Sequence, residues 1–198
     1  MRNALSTLVG IITSLVVGAC VDPRGRLDEF AARVIDAKDT GQDCPGFTEI
    51  PNVTGRALFV VRIDNLPPRG GREPELFFDT QVTLQQNPDK TGELDLVAMP
   101  LTVEDRMPIG VPFTASAVPV DACGKFEAPF EGMISGKANP ITGMDQTVIA
   151  KVHGNIRSAD LVCGMLSGSV PIDLSATTFG AVRWTGDALP TAVVRCPE

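Results

Sequence analysis

Apolar and polar residues alternate along this chain with two different periods. Over Val21–Gln42, Leu27, Phe30, Ala31, Val34 and Ile35 recur at the spacing of one helix face. Asp28, Glu29, Arg33, Asp36 and Lys38 fall on the other side, and Asp22-Pro23 can open the turn as N-cap and first-turn proline. This predicts a short N-terminal helix or linker. From Cys44 onward the period drops to two.

Ala57, Phe59, Val61 and Ile63 alternate with Leu58, Val60 and Arg62, which predicts a strand apolar on both faces. Leu76 to Gln85 alternates more cleanly. The turn chemistry of Asn87-Pro88-Asp89-Lys90-Thr91-Gly92 then joins it to Leu94, Leu96 and Ala98, a hairpin signal. Further runs follow at Phe113–Val120, Gly124–Phe130, Gln146–Ile156, Leu161–Leu174, Thr178–Trp184 and Ala192–Cys196. No long helical pattern interrupts them, which argues against βαβ units. The expected fold is all-β, an antiparallel β-sandwich or β-barrel of about eight strands. Both architectures give the same alternation.

The first residues read differently. Arg2 and the amino terminus supply positive charge, and Ala4–Val17 is apolar apart from Ser and Thr. That run is too short for a bilayer, which takes about 20 residues, but it suits a secretory signal. The boundary Val17-Gly18-Ala19-Cys20 resembles the lipobox of bacterial lipoproteins. The resemblance implies a lipid on the Cys20 thiol, with palmitate-type acyl chains, and cleavage between Ala19 and Cys20. It divides the chain into a signal peptide at 1–19, a lipid anchor and tether at 20–43, and a β-domain at 44–198. Asp directly after the Cys is that family's inner-membrane signal; Val21 stands there instead, with Asp22 one later. The resemblance therefore implies a bacterial cell envelope location, anchored to the outer membrane.

The other cysteines fit an oxidising compartment. Cys44, Cys123, Cys163 and Cys196 are even in number and widely spaced, with no C-x-x-C pair for a structural zinc. Two disulfides are expected, Cys44–Cys123 and Cys163–Cys196. Cys44 and Cys196 lie where a sheet frays, so each gains from a tie to an interior strand. The rival scheme joins Cys44 to Cys196 and Cys123 to Cys163, since domain termini are often neighbours.

Composition narrows the chemistry further. The chain has 198 residues with 17 Lys plus Arg against 24 Asp plus Glu, a net charge of −7. Without a basic field, nucleic acid is not an expected partner. There is one His and no Tyr, so the commonest acid–base tool is nearly absent. On Gln146–Ile156, Val148, Ala150 and Val152 share one face, placing Ile149, Lys151 and His153 on the other. Asp145 or Asp160 could orient His153. A single His beside unplaced carboxylates predicts a surface or structural residue, dispensable for any turnover.

Gly164-Met165-Leu166-Ser167-Gly168 lacks the spacing of a nucleophile elbow, and its glycines predict a bulge or tight bend beside Cys163. Gly124-Lys125 and Gly136-Lys137 lack the surroundings of a phosphate loop. Asp79, Glu93 and Asp95 fit outward strand positions, and Leu66–Pro74 reads as a solvated loop. Asn52-Val53-Thr54 matches a glycosylation triplet only formally.

No catalytic residue, cofactor or metal site is therefore expected. The expected function is a membrane-anchored envelope lipoprotein with a non-catalytic β-domain, partner-binding or structural. The alternatives are a carrier of a small apolar ligand inside a β-barrel, or a hydrolase using carboxylates or a Ser with His153. The partners implied are the membrane through the lipid anchor, and an envelope protein or a small apolar ligand.

Overall fold

A computed structural model describes residues 47–68, 71–169, 174 and 177–197. The signal segment, Cys20, the tether at 20–43 and Cys44 lie outside the described residues. The strands are β1 (Gly55–Ile63), β2 (Glu75–Gln86), β3 (Gly92–Pro100), β4 (Phe113–Val120), β5 (Lys125–Ile134), β6 (Gln146–Ser158), β7 (Leu161–Ser169) and β8 (Thr177–Arg183). Each pairs antiparallel with the next, and β8 returns to β1 to close a barrel. The alternation thus resolves as a barrel, not a sandwich. Among the described residues one short 3-10 turn, Gly136–Ala138, interrupts the β structure.

Tight turns join β2 to β3, β4 to β5 and β6 to β7, all at one end; the connections at the other end are longer. At the β2–β3 turn the Asp89 carboxylate accepts hydrogen bonds from the Thr91 amide and hydroxyl. These bonds hold its carboxyl below the usual range. Ile50 and Val53 are buried over the tight-turn end. Their segment is tied down by Gln86, whose amide donates to the Ile50 carbonyl, and by Arg183, which donates to the Asn52 carbonyl at 2.7 Å.

An eight-stranded barrel is just wide enough for side chains to fill. Phe59, Phe78, Phe113, Phe130 and Phe179 do so here. Their ring centroids lie between 4.4 Å (Phe113–Phe130, stacked) and 5.7 Å (Phe78–Phe113, edge-on). Glycines on neighbouring strands make room for rings, with Gly154 registered opposite Phe126 and Gly164 opposite Phe179. Gly154 and Gly164 are a registered pair across β6 and β7. A methyl group on Gly154 would lie 2.2 Å from the Phe126 ring. Close approach, rather than a bulge, is what Gly164 serves, since its pairing with β6 and β8 is regular.

The two apolar faces of β1 have separate destinations. Ala57, Phe59, Val61 and Ile63 belong to the interior. Leu58 and Val60 face outward with Phe77 and Leu101, and the C-terminal segment lays Trp184, Ala192 and Val194 over them. Residues 192–196 are therefore not a strand, correcting the sequence expectation. Their alternation reflects a strap lying on a flat wall. The Leu161–Leu174 run likewise ends as a strand at Ser169, and the Gly124–Phe130 run extends to Ile134. Cys163, fully buried, is bonded to Cys196 across 33 residues with Cα atoms 5.2 Å apart, which pins the strap to β7. This bond excludes the scheme pairing Cys44 with Cys196. Cys123 is itself disulfide-bonded, not a free thiol.

Candidate functional site

Two places carry chemistry: a seam in the barrel wall, and a polar line on its outside.

The seam lies between β4 and β5. Neighbouring strands elsewhere share ladders such as Lys125–Ile134 against Gln146–Asn155, but β4 and β5 share one registered pair, Val120↔Phe126. Beside it the Asp121 amide donates to the Lys125 carbonyl at 2.9 Å. Antiparallel hydrogen-bonded positions recur every second residue, so the next donors across the seam belong at residues 119 on β4 and 127 and 129 on β5. Positions 119 and 129 are both prolines, which have no N–H. The Ala117 amide, at a left-handed φ of 52°, is taken by the Asp95 carboxylate at 2.8 Å. Two prolines and one carboxylate thus remove the donors at 117, 119 and 129, leaving the Glu127 amide as the donor that can still cross the seam beyond Asp121. The same devices guard an open edge against strand addition.

Behind the seam is a void of ≈ 50 Å3. Its lining is almost wholly apolar and includes Phe113, Ala115, Ala128 and Phe130. It also includes Thr114 and Pro129, exposed outer-wall residues on either side of the seam, so the void reaches the surface there. One polar side chain stands inside it. Thr80 is 4% exposed and its hydroxyl has no hydrogen-bond partner among the described residues. A smaller void of ≈ 40 Å3 lies toward the long-loop end, with Phe130 lining both.

The polar line crosses β5, β6 and β7 on the outside. His153 Nδ1 is 3.1 Å from Glu127 Oε1, and His153 Nε2 is 2.6 Å from Ser167 Oγ. A carboxylate only accepts, so Nδ1 carries the proton and Nε2 accepts from the serine hydroxyl. Lys151 Nζ donates to Glu127 Oε2 at 3.2 Å. The lysine's hydrogen bond and charge, then the histidine, hold the Glu127 carboxyl below the ordinary range. Glu127 is registered with His153, and Ser167 with Lys151, so the line follows from strand register.

Sequence reasoning placed His153 outward beside Lys151, and there it lies. It did not find Glu127 or Ser167, which sit 26 and 14 residues from His153. The carboxylates proposed to orient the ring are occupied elsewhere. Asp145 accepts from the Gly136 amide at 2.7 Å, and Asp160 pairs with Arg183 at 2.9 Å.

Other residues singled out from sequence serve the fold. Asp79 pairs with Arg56, whose guanidinium also lies 3.5 Å over the Trp184 ring. Asn52 accepts from the Thr54 amide, and the Thr54 hydroxyl accepts from the Leu84 amide. In the loop joining β1 to β2, Glu73 pairs with Arg62, and Arg72 lies 4.0 Å from Glu104. Among the described residues no three His, Cys, Asp or Glu side chains are placed to hold a metal ion. Comparison with protein-family models, with curated proteins and with solved structures found no match.

Proposed function

We propose that this protein is an envelope lipoprotein, tethered through Cys20, whose barrel takes up a small, slender apolar molecule bearing one hydrogen-bonding group. The observation that carries this reading is the Thr80 hydroxyl, buried and unpaired in an otherwise apolar void. An orphaned buried hydroxyl costs about 1–3 kcal/mol, which a ligand's polar group would recover. Entry is by the seam, where among the described residues the wall is most sparsely laced by backbone pairing. The void has room for no more than about two water-sized groups of ≈ 30 Å3 each. Only the tip of a chain fits behind the Phe113–Phe130 stack, and the remainder lies along the seam.

The test uses 1-hexanol as probe, followed by methyl and aromatic NMR shifts of the full chain. Saturable shifts at Ala115, Ala128, Phe113 and Phe130 are expected. Thr80→Val should weaken binding by up to about tenfold through the lost hydrogen bond while stabilising the free protein. Shifts confined to the outer wall, or a Thr80→Val protein that binds equally well, would count against the reading.

A partner-binding module is the competing reading. It is favoured by the long-loop end, where Met107, Val111, Met133 and Met144 are exposed. The two loops carrying three of them are joined by the Val103 amide donating to the Lys137 carbonyl.

The tether has its own test. Cys20→Ala should abolish acyl labelling and move the chain from the membrane to the soluble fraction, because each buried methylene contributes about 0.8 kcal/mol of anchoring. Labelling that survives the substitution would remove the anchor from the proposal.

A further inference from the structure

The polar line on the outer wall has the connectivity of a base-activated nucleophile. Ser167 Oγ touches His153 Nε2 at 2.6 Å, and the opposite nitrogen is fixed by Glu127 at 3.1 Å. A carboxylate that holds the imidazole tautomer leaves Nε2 bare to take the serine proton, which is the logic of hydrolytic triads on unrelated folds. Lys151 Nζ donates to Glu127 Oε2 at 3.2 Å and so fixes the carboxylate that orients the ring. Ile149 and Met165, on the neighbouring outward positions of β6 and β7, are exposed and apolar. They offer a surface for an acyl chain. The His153 side chain is 40% exposed, so a substrate reaches it without any opening of the fold.

We propose that Ser167 is a nucleophile that accepts the acyl group of carboxylic esters reaching this wall. Ser167 Oγ attacks the ester carbonyl carbon while its proton passes to His153 Nε2. The bond from that carbon to the alcohol oxygen breaks, and the alcohol leaves with the proton from His153. Water then attacks the acyl-serine, giving its proton to His153 and through it to Ser167 Oγ, and a carboxylic acid departs. The net reaction is ester plus water to acid plus alcohol, with no other reactant. Glu127 is a positioning residue here, acting only through His153.

The site is independent of the barrel interior, so its fate and that of the carrier reading are separable. The experiment treats the detergent-solubilised full chain with a fluorophosphonate probe and with p-nitrophenyl butyrate, mapping the label by mass spectrometry. One label per chain is expected, on Ser167, and Ser167→Ala should abolish both labelling and ester turnover. His153→Gln should slow both by about 100-fold or more, the usual range for a lost general base. Glu127→Gln should slow them less, and Glu127→Asp should restore part of the rate, which a merely structural contact would not require. Ser116→Ala, at an exposed position on β4, is the control and should change nothing. All these positions are on the outer wall, and circular dichroism checks that each variant is folded. A folded protein that is not labelled, a label on another residue, or labelling that survives His153→Gln at the original rate would overturn the proposal.

Discussion

Replacing Gly164 with alanine should destabilise the barrel by more than about 3 kcal/mol, beyond the usual range for an overpacked core. A methyl group there would lie 2.0 Å from the His153 carbonyl oxygen and 2.9 Å from the Phe179 ring. Neither neighbour can yield cheaply. The carbonyl belongs to the backbone of β6, registered with β7 on both sides of this point. The Phe179 ring is 1% exposed and packed 5.2 Å from Phe59. Moving either disturbs strand pairing or the aromatic cluster. Urea unfolding compared with wild type would measure the loss, and Gly143→Ala supplies the contrast. Gly143 has open space around it but a left-handed φ of 68°, so its cost is one of backbone conformation alone. A Gly164→Ala protein with unchanged stability would mean that β6 and β7 separate freely here. The rigid spacing between His153 and Ser167 would then lose its basis.

Gly164 also marks where the sequence stops being legible. A glycine within an apolar run signals either a bulge or a close approach, and only the partner across the strand decides which. The all-β class and the positions of β1 through β8 follow from local alternation, because a side chain's face depends on its own strand. Closure into a barrel depends on β8 meeting β1, and no local pattern encodes that meeting. The strap over Leu58 and Val60 imitated a ninth strand for the same reason: an extended segment lying on a wall also buries alternate residues. The doubly apolar β1 was the available signal that something covers its outer face. His153 could be oriented from its own strand, but Glu127 and Ser167 join it only through the registers of β5 and β7. The prolines of the seam were visible as residues. Their effect needs the parity of hydrogen-bonding positions, counted from the Asp121–Lys125 turn.

Removing the Cys163–Cys196 bond should be the other large effect, and it acts on both states of the chain. The bond closes a loop across 33 residues, which in the chain-entropy picture restricts the unfolded state by about 4 kcal/mol. In the folded state it pins the segment that lays Ala192 and Val194 over the outward face of β1. Without it, that segment must hold its place by packing alone, and its ends are free to fray. Cys196→Ser is the variant of choice, because Cys196 is partly exposed while Cys163 is buried and behaves as a small apolar side chain. At about 2–4 °C per kcal/mol for a chain of this size, the midpoint of thermal unfolding should fall by roughly 10 °C. Limited proteolysis should report the local part separately, with new cuts between residues 185 and 197 while the barrel stays intact. A lower midpoint without new cuts would assign the whole effect to the unfolded chain. If neither changes, Trp184, Ala192 and Val194 hold the strap unaided, and the bond adds nothing to the stability of the wall.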